Sequence, residues 1–214
     1  MITITPISES ALVCQLPAPA TLDNQRKLWA FAEALTQFDE IAEVVVGMNN
    51  VTIFSKIMQN PTALASNMKK LWAQTDGRHR QGKHVKIPVH YGGQYGEDLS
   101  EVARFHHTTV EQIVRLHSET VYTVYMIGFQ PGFPYLGGLP ETLHTPRRAT
   151  PRTLVPAGSV GIGGSQTGVY PFASPGGWQL IGRTTLPLFD QQNSPPTLLQ
   201  AGDTVQFIAE RVEL

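Results

Sequence analysis

Apolar and polar positions follow two regimes along the chain. Residues 2–5 alternate between them and 11–16 form an apolar run, so both predict strands. Pro17 and Pro19 end the second. From about Leu22 the period becomes helical, with Leu28, Phe31, Ala32 and Leu35 on one face. Residues 41–46 are β-branched, Gly47-Met48-Asn49-Asn50 reads as a turn, and 51–54 returns as a strand, which predicts a hairpin. Asn60-Pro61 starts a second helix, with Asn as cap and Pro at the first helical position; Leu64, Met68, Leu71 and Trp72 form its apolar stripe. Residues 87–91 make a short strand and 92–96 a Gly-rich loop. Asp98-x-x-Glu101 and Thr108-x-x-Glu111 read as capping boxes. On the second of these helices Val110, Ile113, Val114 and His117 share a face.

After Ser118 the helical period disappears. Residues 121–127 form a strong strand, followed by strand candidates at 153–155, 159–162, 178–183 and 204–208. Short strands split by turns predict a barrel or sandwich. Fifteen of the nineteen glycines lie between Gly92 and Gly182, a compositional shift that supports a boundary before Ile87. The expected fold class is therefore α+β. A small ferredoxin-like α+β domain over residues 1–82 precedes a β-rich domain over 83–214, with the boundary within 77–83.

Composition narrows the function classes. The chain has 214 residues, 41% apolar and 15% charged, as in an ordinary globular protein. A net charge of -1 gives no global case for nucleic acid. The local basic run of Arg78, His79, Arg80, Lys83, His84 and Lys86 reads as a solvated interdomain linker. The single cysteine, Cys14, excludes an intrachain disulfide and sits in an apolar run as a structural thiol. No leader pattern opens the chain and no apolar run reaches about 20 residues, so the expected location is cytoplasmic.

The candidate chemistry lies in residues 128–183. Phosphate motifs fail there: Gln166 stands where a dinucleotide fingerprint needs glycine, and Val169 where a P-loop needs lysine. Gly158-Ser159-Val160-Gly161 has the wrong register for a nucleophile elbow. Asp98, Glu101, His106, His107 and Glu111 match no metal-ligand spacing, so no metal is expected. Arg147, Arg148, Arg152 and Arg183 are the informative group, because a planar guanidinium binds carboxylate or phosphate bidentately. Gln166, Thr167 and Tyr170 add neutral donors and acceptors. His117 has two readings, a helix-end histidine serving the last carbonyls or a catalytic group.

Several segments together carry a resemblance. They are Gly128-Phe129-Gln130-Pro131-Gly132-Phe133-Pro134-Tyr135-Leu136, Pro146-Arg147-Arg148, Val155-Pro156-Ala157-Gly158-Ser159-Val160, Gly163-Gly164-x-Gln166-Thr167-Gly168 and Ser174-Pro175-Gly176-Gly177-Trp178. With Gly47-Met48-Asn49-Asn50 and Leu198-Leu199-x-Ala201-Gly202-Asp203, the chain resembles the KipI / allophanate hydrolase subunit 1 family over nearly its whole length. The resemblance implies a cyclophilin-like β-barrel for the second domain. It implies one half of a carboxyltransferase-type domain. A partner, the C subunit, forms the other half, and an A subunit is the third component. The nearest branch implies ATP-dependent opening of 5-oxo-L-proline to L-glutamate, with ATP bound by the assembled complex.

On that resemblance Arg183 or Arg148 would hold a carboxylate or phosphate, and Gln166 and Tyr170 would orient the lactam. His117 would serve as general acid/base or subunit contact, while Phe133, Tyr135 and Trp178 form walls and core. Two other readings stay open: the allophanate hydrolase or urea carboxylase branch, and an inhibitor of a sensor histidine kinase.

Overall fold

The computed structural model describes residues 2–56, 60–77 and 82–213. The chain forms two compact units, Met1–Gln81 and Gly82–Leu214. Arg78, His79 and Arg80 of the basic run lie outside the described residues.

In the first unit β1 (Thr3–Pro6), β2 (Ala11–Gln15), β3 (Ile41–Gly47) and β4 (Asn50–Ser55) form an antiparallel sheet in the order β1-β2-β4-β3. Helices α1 (Leu22–Leu35) and α2 (Pro61–Gln74) follow β2 and β4. The α+β expectation is met. The connectivity is ββαββα, in place of the βαββαβ order of a ferredoxin-like domain, because a hairpin precedes the first helix. Thr21 caps α1 by accepting from the Asn24 N–H at 3.2 Å, and Asn60 caps α2 by accepting from Ala63 at 2.9 Å. The alternating β4 residues Val51 and Ile53 meet Leu28, Phe31 and Met68 in one core. Cys14 lies in that core, and burial pushes its thiol up to about 12, so it stays an unreactive thiol.

The second unit contains α3 (Leu99–Phe105), α4 (Val110–Glu119) and nine strands. They are β5 (His84–Gly92), β6 (Val121–Ile127), β7 (Pro134–Gly137), β8 (Arg152–Val155), β9 (Ser159–Gly163), β10 (Gln166–Val169), β11 (Ser174–Gly176), β12 (Gln179–Arg183) and β13 (Thr204–Glu213). Seven of them close a barrel in the order β10-β7-β6-β13-β5-β12-β9, with β9 and β10 completing the ring; β8 and β11 form a separate ribbon. Closure removes the unpaired edges that an open sheet would expose. Ile87, Val89, Tyr122, Val124, Leu136, Val160, Ile162 and Phe207 fill the interior. Among the described residues no helix is long and apolar enough to cross a membrane.

Two expected caps are realised differently. The Asp98 side chain makes no cap hydrogen bond to α3. The cap of α4 is Thr109 rather than Thr108, with its hydroxyl accepting from Gln112 at 3.3 Å.

Candidate functional site

His117 enters the barrel rather than a cleft. It is fully buried, and its ring stacks on Phe207 at 4.6 Å between centroids. Nε2 lies 2.9 Å from Thr167 Oγ1, and that hydroxyl donates to the Gly161 carbonyl at 2.9 Å. Nε2 must therefore carry the hydrogen, leaving Nδ1 to accept from the Tyr91 hydroxyl at 2.8 Å. Burial pushes Tyr91 well up, so its phenol keeps the proton it donates. Burial also pushes His117 from its ordinary 6.5 down to about 3. Both nitrogens are committed and the ring has no route to solvent, so the structure removes His117 from contact with a substrate. Its place on the apolar face of α4 made it core.

Arg148 and Arg152 are bound to the carboxylate of Asp98, which is 5% exposed. Arg148 Nη1 donates to Oδ1 at 2.9 Å and Arg152 Nη2 at 2.7 Å; the Leu180 N–H donates to Oδ2 at 2.7 Å. Asp98 thus ties the 146–152 segment to β12, its single carboxylate shared between Arg148 and Arg152, the latter also meeting Glu97 at 3.3 Å. Gln166 begins β10, opposite Gly163 in the β9–β10 hairpin, and its Nε2 is buried without a partner. Tyr170 follows the other end of the same strand, roughly 13 Å away at about 3.3 Å per residue. The structure therefore does not bring Arg148, Gln166, Tyr170 and Arg183 together. The Arg148 N–H bonds the Gly177 carbonyl just before β12, whereas the Tyr170 N–H bonds Ser159, the residue paired with Arg183, and only the Tyr170 ring turns toward Trp178, at 6.4 Å between centroids.

Around Arg183 the structure assembles a polar cleft of about 90 Å³, whose walls include His90, Tyr95, Thr184, Thr185 and Glu210. Each element has a local reason to be there. Ile87, Val89 and Tyr91 point into the barrel, so strand alternation sends His90 out, directly beside Arg183 of β12. In β13, Ala209 pairs with Val89 and Arg211 with His90, leaving Glu210 as the extra residue of a β-bulge. A bulge re-aims a side chain, and Glu210 Oε2 lies 3.3 Å from His90 Nε2. The short turn Gly93–Tyr95 places the Tyr95 ring 5.3 Å beneath the Arg183 guanidinium and 5.8 Å from the His90 ring. Gly158 has φ +79°, and a methyl there would collide with the Thr184 carbonyl. Glycine at this position lets the end of β12 lie close.

The arrangement can move a proton and hold an anion. With Nε2 turned to the Glu210 carboxylate, the other imidazole nitrogen is left for chemistry. Arg183 Nε is buried without a hydrogen-bond partner, an unsatisfied donor in a site that opens to solvent. Among the described residues no group of three or more His, Cys, Asp or Glu could hold a metal ion. The segment at Gly163 and Gly164 is the tip of the β9–β10 hairpin and opens no helix, so it makes no phosphate loop.

Sequence reasoning missed His90, Tyr95 and Glu210. The alternation of Ile87, Val89 and Tyr91 carries a signal for His90, since it fixes the outward face. Glu210 carries none, because a bulge alters register only once the partner strand is known.

The carboxyltransferase domain family, subdomain C and D, matches residues 2–199. The chain is 63% identical over 211 residues to the B subunit of 5-oxoprolinase from Haemophilus influenzae, covering 99% of each chain. It is 49% identical over 209 residues to the B subunit of 5-oxoprolinase from Escherichia coli O157:H7, covering 96% of this chain and 94% of that one. Among solved structures it is similar to TTHA0988, with 32% identity and a TM-score of 0.79 over 94% of this chain. It spans 40% of that chain's length.

Proposed function

The chain belongs to the carboxyltransferase domain family, subdomain C and D, and from that premise we propose that it works as one component of an ATP-dependent 5-oxoprolinase. The observation that carries this reading is the 63% identity, across 99% of both chains, to a protein named as the B subunit of 5-oxoprolinase. In the proposed reaction 5-oxo-L-proline is opened to L-glutamate with hydrolysis of ATP, and the C and A subunits complete the assembly.

The lactam is a resonance-stabilised amide. A phosphoryl group transferred from ATP to its oxygen, releasing ADP, makes the ring carbon electrophilic. Water then adds at that carbon and the C–N bond breaks, with the nitrogen taking a proton, to leave an acyl phosphate; a second water hydrolyses it to the carboxylate and free phosphate. On this chain His90, oriented by Glu210, supplies the proton-transfer group, and Arg183 over Tyr95 holds a carboxylate or phosphate. His117 holds the barrel that positions both. The cleft of about 90 Å³ is well below the ~300–1,000 Å³ of a complete ligand pocket. That size suits half a site, closed by the partner.

The test is reconstitution of this chain with the C and A subunits, measuring glutamate from 5-oxoproline with and without ATP. ATP-dependent glutamate supports the reading; an assembled complex that forms none overturns it.

A further inference from the structure

Before the start of β12, at Trp178, lies a pocket of different chemistry from the Arg183 cleft. Its walls include Phe129, Phe133, Tyr135, Tyr170 and Trp178, and it holds about 110 Å³. Phe133 is the hub, with ring centroids 5.4 Å from Phe129, 5.0 Å from Tyr135, 5.1 Å from Tyr170 and 5.5 Å from Trp178. The sixth wall is Arg147, whose guanidinium carbon stands 5.8 Å from the centroid of the Trp178 ring.

Three observations separate this pocket from ordinary core. First, Arg147 makes no salt bridge among the described residues, whereas its neighbours Arg148 and Arg152 are held by Asp98. Second, Phe129 is 60% exposed while Phe133 and Tyr170 are 2% exposed. Third, Phe129 has φ +66° and its flanking residues close a Gln130 N–H to Gly128 carbonyl bond of 2.8 Å. That is the rare γ-turn with positive φ, strained for a bulky residue. Core formation does not call for a strained backbone that presents a phenyl ring to water. Such strain gathers at ligand clamps.

The charge of the pocket selects its ligand. Aromatic walls alone would suit an organic cation. Here an unpaired guanidinium shares the wall and no carboxylate does, so a cation is repelled and an anion is attracted. Burial pushes Tyr135 and Tyr170 up while Arg147 pulls both the other way. Arg147 is itself exposed, so its guanidinium is open to a ligand arriving from solvent.

We infer that this pocket is a second binding site, taking a small anion that carries a ring, with the ring against Phe129 and Trp178 and the carboxylate or phosphate on Arg147. A cyclic carboxylic acid has that chemistry, and a nucleotide shares it, although the rest of a nucleotide would extend beyond the roughly 110 Å³ enclosed here. Neither the pocket nor its test depends on the 5-oxoprolinase reading, which stands or falls on glutamate formation by the complex.

The test titrates the full chain separately with 5-oxoproline, ADP and inorganic phosphate. Trp178 fluorescence is isolated by difference from Trp178→Phe, and heat is followed by calorimetry. Saturable binding of either ring-bearing anion, at least tenfold tighter than phosphate and tenfold weaker in Arg147→Ala, supports the site. A response to 5-oxoproline identifies the cyclic acid, and a response to ADP the nucleotide. Phe129→Gly supplies the second variant, because glycine accepts positive φ. It should fold at least as stably as the natural chain yet bind at least threefold more weakly. No saturable change with either ring-bearing anion, or equal affinity in Arg147→Ala, overturns the inference.

Discussion

Two adjacent residues of β5 lead to two unlike histidine environments. Tyr91 points into the barrel and donates to His117; His90 points out and meets Glu210. The inner histidine has both nitrogens bonded, no exposure and a basicity suppressed to about 3. The outer one keeps 41% of its side chain exposed, beside an arginine with an unsatisfied donor. The better-connected histidine is thus the one that cannot react. A hydrogen-bond network around a histidine indicates function only when one nitrogen remains available to something outside the protein.

The sharpest way to break this comparison is to remove the outer imidazole. In the reconstituted complex His90→Asn should lower glutamate formation by about 100-fold or more, with the melting temperature unchanged. Full activity in that variant would transfer the chemistry elsewhere. His117→Gln should do the reverse. It leaves buried groups unpaired and should cost roughly 2–4 kcal/mol of stability, measured by denaturant unfolding, while the folded fraction keeps its turnover.

Acid supplies a third contrast. His117 titrates at about 3 when folded against an ordinary 6.5. Its stabilising contribution is complete above about 6.5, where neither state binds the proton. As the pH falls below that value the unfolded chain takes up a proton that the folded chain refuses. Stability should therefore decline between about pH 6.5 and 3, by several kcal/mol in all. Unfolding curves at pH 7, 6, 5 and 4 should show a shallower decline in His117→Gln. Parallel declines would sink the sealed-histidine account.

Thr167→Val deletes the acceptor for the His117 Nε2–H and should cost about 1–3 kcal/mol, with per-molecule activity retained. The smallest effect belongs to Glu210→Gln. It keeps the shape of the bulge but removes the carboxylate charge that orients and polarises His90. About a tenfold loss of turnover with unchanged KM is expected, and recovery of turnover in Glu210→Asp at unchanged stability would separate orientation from a structural role.

How much of this was legible in the chain differs by element. The strand after Ser118, the hairpin at 47–50, the Asn60-Pro61 helix start and the apolar stripe of α4 follow from spacing and turn chemistry alone. The stripe even contained the right answer for His117, since a residue at helical spacing with Val110, Ile113 and Val114 faces the core. Asp98 was legible only as a helix cap. Its actual use, gripping Arg148, Arg152 and the Leu180 N–H, joins residues 50 to 82 positions apart.

The sequence by itself determined an α+β chain with a β-rich second half and a structural thiol at Cys14. Local propensity and period act over a few residues, so a linear reading captures them. Tertiary structure alone decided which arginines are tied to Asp98 and which histidine is sealed. It also decided that Glu210 stands opposite His90. Barrel closure sets strand register across more than a hundred residues, and a single bulged residue in that register turns a surface glutamate toward the imidazole.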